Sequence, residues 1–166
     1  MQEVVVYGVS FDMVGKQPIV LLKTAHANRF LPIWIGHPEA SAILAKLQES
    51  ETPRPMTHDL FTTALNDLGG EVVRISVTEM REGTFYARIL IERGSEEIEL
   101  DARPSDAIAL ALRSKAPIFV ADEVIESSAI LMEDEEAGEA SEPEQIVEDF
   151  KRFLDDVRPE DFGAEG

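Results

Sequence analysis

The chain has 166 residues, 44% of them hydrophobic, which is enough for one domain with a packed core. It contains no cysteine, and this excludes disulfides, thiolate zinc sites and cysteine nucleophiles. No apolar run is long enough to span a membrane, and no basic stretch precedes the apolar N-terminal residues. The sequence therefore predicts a cytoplasmic protein that has no signal peptide and no membrane partner.

The net charge of −18 is distributed unevenly along the chain. Residues 1–132 contain 12 Lys and Arg against 19 Asp and Glu, a balance of −7, and residues 133–166 contain 3 against 14, a balance of −11. Proteins that bind nucleic acid normally carry clustered Lys and Arg. The charge therefore argues against a nucleic-acid ligand, unless a divalent cation reverses it locally.

The hydrophobic periodicity predicts one α+β domain over residues 1–131, with a mixed, mainly antiparallel sheet flanked by helices. Three strands followed by a helix that starts at an X-Pro step occur twice, at His37-Pro38 and at Arg103-Pro104. This is either an internal β–β–β–α repeat or a coincidence. The predicted strands are Val4–Phe11, Pro18–Thr24, Arg29–Ile35, Glu71–Met80, Thr84–Glu92, Glu96–Ala102 and Ile118–Val120, and the predicted helices are Pro38–Glu49, Asp59–Leu68 with Thr57 as N-cap, 104–115 and Ala121–Ser127.

Three helical segments have an apolar stripe that we expect to be buried. Residues 132–143 are predicted to be an acidic, disordered linker, and 144–162 a C-terminal amphipathic helix with its tail. The stripe of this last helix has to dock on the domain or on another subunit, and a homo-oligomer follows, most simply a C₂ dimer. The predicted buried residues are Ala42, Ile43 and Leu47 in the first helix, Leu60, Phe61, Ala64, Leu65 and Leu68 in the second, and Ala107, Ile108, Ala111 and Leu112 in the third.

The corner between the strand ending at Ala102 and the following helix collects polar residues. Asp101, Arg103, Ser105 and Asp106 lie close together there, and the last two are in the first helical turn. One interpretation is a capped helix with a local Asp–Arg ion pair, since structural ion pairs are common. The other is a site for a metal ion or a phosphate group, and we expect these four residues to form one hydrogen-bonded cluster.

Other reaction classes lack their usual motifs. No GxSxG motif supports a Ser–His–Asp hydrolase, and no P-loop or dinucleotide fingerprint is present, so no organic cofactor is expected. His58-Asp59 is either an acidic first helical turn or part of a site. The oxygen ligands that Mg²⁺ or Mn²⁺ would need are available as carboxylates. The candidate metal ligands are Glu39, Asp59, Asp101 and Asp106, and the candidate catalytic residues are Asp101, Arg103, Asp106 and His58.

Four motifs in the same order resemble the bifunctional nuclease domain family, small bacterial proteins with plant relatives. They are LPIWIG (Leu31–Gly36), RPMTHDL (Arg54–Leu60), GTFYA (Gly83–Ala87) and RPSDAIALALR (Arg103–Arg113), the last followed by PIFV. The resemblance covers roughly residues 3–131, and the tail is similar to the ends of actinobacterial members. It implies a nuclease that hydrolyses phosphodiester bonds of RNA and DNA with the help of a divalent metal.

Two functional classes stay open at this point. In a nuclease, the metal would polarise the phosphate and generate hydroxide, while a cation such as Arg103 steadies the developing charge. The alternative is a non-catalytic regulatory or protein-interaction module, which the negative charge favours. The predicted substrate-binding residues are Arg54, Arg103 and Ser105.

Overall fold

The computed structural model describes residues 1–12 and 14–131, and within these ranges it contains one eight-stranded sheet and four helices. The predicted linker 132–143 and C-terminal helix and tail 144–162 lie outside the described residues. The strands are Gln2–Asp12 (β1), Gln17–Thr24 (β2), Arg29–Trp34 (β3), Glu71–Arg81 (β4), Thr84–Arg93 (β5), Glu96–Ala102 (β6), Ile118–Val120 (β7) and Ile130–Leu131 (β8). The helices are His37–Leu47 (α1), Thr57–Asp67 (α2), Pro104–Ser114 (α3) and Asp122–Ser128 (α4).

The sheet is built from two three-stranded meanders. Its strand order is β6-β5-β4-β7-β1-β2-β3-β8, and only the β4–β7 pair is parallel. The short strand β7 joins the two meanders, because it pairs with β1 on one side and with β4 on the other. The predicted α+β class and mainly antiparallel pairing are confirmed, and the β–β–β–α order occurs twice, ending in α1 and in α3.

The main core lies between one face of the sheet and the helices. Ile43 of α1, Ile108 of α3 and Ile125 of α4 are fully buried in the same cluster as the inward residues of the sheet. Each such side chain contributes roughly 1.5–3 kcal/mol when it leaves water. The alanines of α3, such as Ala107 and Ala111, let this helix pack closely on α1 and on the sheet. No helix in the described ranges is long and apolar enough to cross a membrane.

Helix α2 does not bury the stripe that its sequence predicts. Leu60, Phe61, Ala64 and Leu68 are exposed, and Leu65 packs against the core from a partly buried position. The prediction was wrong because α2 sits beside α3, with its first turn facing that helix. Two smaller corrections follow: Met56 caps α2, so that Thr57 is its first residue, and Leu47 at the end of α1 is exposed.

Candidate functional site

Four polar side chains from three helix starts meet at the surface. Nε2 of His58 lies 3.0 Å from Oδ1 of Asp106. Arg103 donates from Nε to Oδ2 of Asp106 at 2.7 Å and from Nη2 to Oε1 of Glu39 at 2.9 Å. One guanidinium therefore joins α1 to α3, and one carboxylate joins α3 to α2. We call Glu39, His58, Arg103 and Asp106 the ionic cluster.

The local sequence explains how these side chains come together. The backbone of Arg103 is extended, as expected for a residue before proline, and Pro104 then begins α3. Glu39 and Asp106 are each the third residue of their helix, where the helix dipole favours a carboxylate. Gly36 caps α1, and a Cβ atom at this position would collide with the Glu39 carboxylate. A glycine there leaves room for Glu39 to reach Arg103.

The Asp106 carboxyl is ionised because of its neighbours. Burial raises its pKa, but the hydrogen bonds from Arg103 and His58 outweigh burial, and the pKa lies below its ordinary value. An ionised carboxylate can only accept hydrogen bonds, so we assign the proton of the His58 bond to Nε2. In the neutral imidazole this leaves Nδ1 with a free electron pair. The His58 side chain is 14% exposed and lines an open cleft.

Asp59 belongs to a different network. Its Oδ1 accepts a 2.6 Å hydrogen bond from Nε of Arg113, and its Oδ2 accepts one of 2.8 Å from the backbone N–H of Met56. Burial raises the pKa of Asp59, but these two donors outweigh it and lower the pKa. The Arg113 side chain is 6% exposed and also donates to the carbonyls of Ala109 and Ala42. Arg113 thus ties α2 and α1 to α3, two helical turns along α3 from Asp106.

Three further predicted residues lie apart from the ionic cluster. The Asp101 side chain is 68% exposed, and its closest ion-pair partner is Nη1 of Arg88 at 3.8 Å. Ser105 is buried, and Arg54 is exposed in the loop before α2. The predicted four-residue cluster therefore forms in part, because Arg103 and Asp106 are bonded to each other while Asp101 pairs with Arg88 and Ser105 is buried.

A cleft of about 560 Å³ opens beside the ionic cluster. His58, Arg103 and Asp106 line one part of it together with Asp101, and Phe61, Leu100 and Leu110 line the rest. The volume is in the range of small-molecule and cofactor sites, which combine apolar walls with a few polar groups. Asp101 thus shares the cleft with the ionic cluster without bonding to it.

The carboxylates do not fit a preformed metal site. Among residues 1–12 and 14–131, no group of three His, Asp or Glu side chains is placed to hold a metal ion. Both oxygens of Asp106 already accept hydrogen bonds, and Asp59 is paired with Arg113. Metal binding by Glu39, Asp59, Asp101 and Asp106 together stays a prediction.

Sequence reasoning missed Arg113 and the role of Phe61 in the cleft. Arg113 follows Asp106 by seven residues, two helical turns, so both side chains lie on one face of α3. That spacing indicates that Asp106 and Arg113 extend toward the same neighbouring helix, which is α2 in the structure. Phe61 follows His58 by three residues and shares its helix face, but its apolar character indicated burial.

Comparison with known proteins places this geometry in a family. The bifunctional nuclease domain model matches residues 20–133, which include the whole ionic cluster. An uncharacterized protein of Mycobacterium tuberculosis is 43% identical over 166 residues, covering 99% of each chain.

Plant relatives are similar over a shorter region. Bifunctional nuclease 1 of Oryza sativa subsp. japonica is 33% identical over 112 residues, and bifunctional nuclease 1 of Arabidopsis thaliana is 28% identical over 112 residues. Each alignment covers 66% of this chain and 34% of the plant protein, so the chain spans about a third of the plant relatives. With its family model matched over most of its length, the chain belongs to the bifunctional nuclease domain family.

Proposed function

We propose that the chain is a cytoplasmic nuclease that hydrolyses phosphodiester bonds of RNA and DNA. The observation that carries the proposal is the contact of His58 with Asp106, beside Arg103, at the wall of an open cleft. Family membership supports a nuclease-like activity, and the plant relatives carry the name bifunctional nuclease.

His58 has the surroundings of a general base. Asp106 accepts the Nε2–H bond and stabilises the imidazolium that forms when Nδ1 takes up a proton. A nuclease that acts on both DNA and RNA cannot depend on the 2′-hydroxyl group as its nucleophile, since DNA has none, and we assign this role to water. His58 takes the proton of this water, the water oxygen bonds to phosphorus, one P–O ester bond breaks, and the leaving oxygen takes a proton from solvent.

Arg103 is positioned to contact the phosphate. The guanidinium has five N–H groups, and two of them are donated to Asp106 and Glu39. The side chain is 66% exposed, so the remaining N–H groups face the clefts and solvent. Two carboxylates fix its plane, and a fixed guanidinium is suited to stabilise charge that develops on a phosphoryl oxygen.

We also propose that a divalent metal ion assists the hydrolysis, because the site carries an excess of negative charge. Asp101, Asp106 and Glu39 give this surface three carboxylates against two guanidinium groups, that of Arg103 and that of Arg88, which lies 3.8 Å from Asp101. A phosphate anion is repelled by such an excess of negative charge unless a cation compensates it. Mg²⁺ commonly binds through one or two carboxylates together with substrate phosphates, and the exposed carboxylate of Asp101 is available for this.

The test compares variants of the full chain on labelled single-stranded RNA and DNA. His58→Ala and Asp106→Asn should lower the cleavage rate at least roughly 100-fold, the usual size of a general acid–base contribution. Asp67→Asn, an exposed acid at the end of α2, is the matched control and should cleave like the wild type. Equal cleavage by all four proteins would contradict the proposal and identify a contaminating nuclease.

A non-catalytic interaction module is the second candidate, and the outer face of α2 favours it. Leu60 and Leu68 are exposed there, and exposed apolar side chains on one helix face are typical of contact surfaces. We propose a second copy of the chain as the contact, in a C₂ dimer. Light scattering should give twice the mass of 18.4 kDa, and Leu68→Lys should return the mass to that of one chain. A monomeric wild type at tens of micromolar would contradict the dimer.

A further inference from the structure

Two clefts meet at Arg103. The first is the cleft of about 560 Å³ that contains the ionic cluster, and the second has a volume of about 330 Å³. Both are lined by Arg103 and by Thr84 and Phe85 at the start of β5. Arg103 therefore borders both cavities, so a molecule that occupies both of them lies next to this residue.

Each cleft has an aromatic side chain of its own. Phe61 lines the first cleft and keeps 43% of its surface exposed next to His58. Trp34, the only tryptophan of the chain, is partly buried against Ile19 and Leu21 and also lines the second cleft. Aromatic side chains on either side of a guanidinium match a nucleotide strand, which has flat bases joined by anionic phosphates.

We propose that the substrate is a single strand of nucleic acid that runs through both clefts, with one base against Phe61, the next against Trp34, and the phosphate between them at Arg103. This rests on the proposed nuclease function and adds its substrate class. Bases can enter separate clefts only when they are unstacked, as in single strands. Stacking on aromatic rings is tolerant of sequence and does not need a 2′-hydroxyl group, which suits RNA and DNA equally.

One consequence follows from this path. A duplex is disfavoured, since its paired bases cannot enter the clefts and since its higher phosphate density meets a domain with a charge of −7 over residues 1–132.

Trp34 provides a direct readout of the path. The full-length His58→Ala chain, which keeps both clefts but lacks the proposed base, is titrated with thymidine monophosphate and with oligothymidylates of two, four and eight nucleotides. The dinucleotide and longer strands should change the Trp34 emission in a saturable way and bind at least about tenfold more tightly than the mononucleotide. A self-complementary duplex with strands of eight nucleotides should bind more weakly than the single strand of eight nucleotides.

A matched pair of variants tests the base contact in the first cleft. Phe61→Ala should weaken binding of the tetranucleotide by roughly tenfold, the size of one stacked base. Leu60→Ala removes a neighbouring, more exposed apolar side chain that lies outside both clefts and should leave binding unchanged. Fluorescence anisotropy of labelled oligonucleotides measures binding independently of Trp34.

The outcomes separate this inference from the proposed function. If the wild type cleaves nucleic acid but Trp34 emission does not respond, or if Phe61→Ala binds like Leu60→Ala, the two-cleft path is wrong and the nuclease function stands. Equal affinity for the mononucleotide and the tetranucleotide, or for the duplex and the single strand, overturns the path as well. An absence of both binding and cleavage overturns the inference together with the proposed function.

Discussion

Nε2 of His58 lies 3.0 Å from Oδ1 of Asp106, although the two residues are 48 positions apart and belong to different helices. The contact exists only while the first turn of α2 stays against α3. The apolar packing of α2 is weak, because most of its apolar stripe is exposed. Asp59 follows His58 directly in the sequence, and its ion pair with Arg113 is therefore the main contact that holds this turn against α3.

Asp59→Ala should reveal this link as a loss of stability. The change leaves the buried Arg113 guanidinium without its charged partner, and breaking such a pair costs about 3 kcal/mol. Urea unfolding should show a lower midpoint with an unchanged m value. The same variant should cleave more slowly, because His58 loses its position. A variant with wild-type stability would show that α2 is held by other contacts.

Arg103→Lys should impair the proposed activity while the fold remains intact. A lysine ammonium cannot present the fixed planar fork that bonds Asp106 and Glu39 together. We expect cleavage to fall by at least about tenfold with little change in Tm, since the side chain is largely exposed. Arg93→Lys is the matched control, because Arg93 makes an exposed pair with the acid three residues later, as Arg103 does. Equal losses in both variants would argue against a special role for Arg103.

Stability should depend on pH through Asp106. Its pKa is lowered in the folded chain, so the unfolded chain binds this proton more tightly. The stabilising contribution is fully present above the ordinary aspartate pKa of about 3.9 and is lost as the pH falls through the lowered folded value. The Tm difference between wild type and Asp106→Asn should therefore shrink from pH 5 to pH 3 when followed by circular dichroism. A difference that stays constant over this range would contradict the assigned ion pairs.

Removal of divalent metal should lower the cleavage rate if the excess of carboxylates at the site needs a cation. EDTA is expected to slow cleavage by the wild type, and Mg²⁺ or Mn²⁺ is expected to restore the rate. Asp101→Asn should raise the Mg²⁺ concentration needed for half-maximal rate, whereas Glu99→Gln on the same edge strand should not. Cleavage that is insensitive to EDTA, with the His58→Ala variant inactive, would leave the His58 chemistry in place without a metal.

The elements of this chain follow from local sequence signals. The two X-Pro steps start α1 and α3 within one residue of the predicted positions, because proline fits the first turn of a helix and disfavours a helical residue before it. Alternation of apolar residues located the strands, since side-chain direction in a strand has a period of two. The crowding of Asp101, Arg103, Ser105 and Asp106 at one corner could also be read from the sequence, as could the family.

The partners within the site were decided by the tertiary structure alone. Asp59 and His58 are neighbours in sequence, yet they turn to different partners because adjacent residues of a helix point about 100° apart. Glu39 meets Arg103 across 64 positions because α1 and α3 pack on the same face of the sheet. The spacing of apolar residues in α2 is typical of a buried helix, but this spacing indicates only which side chains lie on the same face of the helix. Whether another surface covers that face depends on the packing of the whole chain, and here Phe61 is left open beside His58.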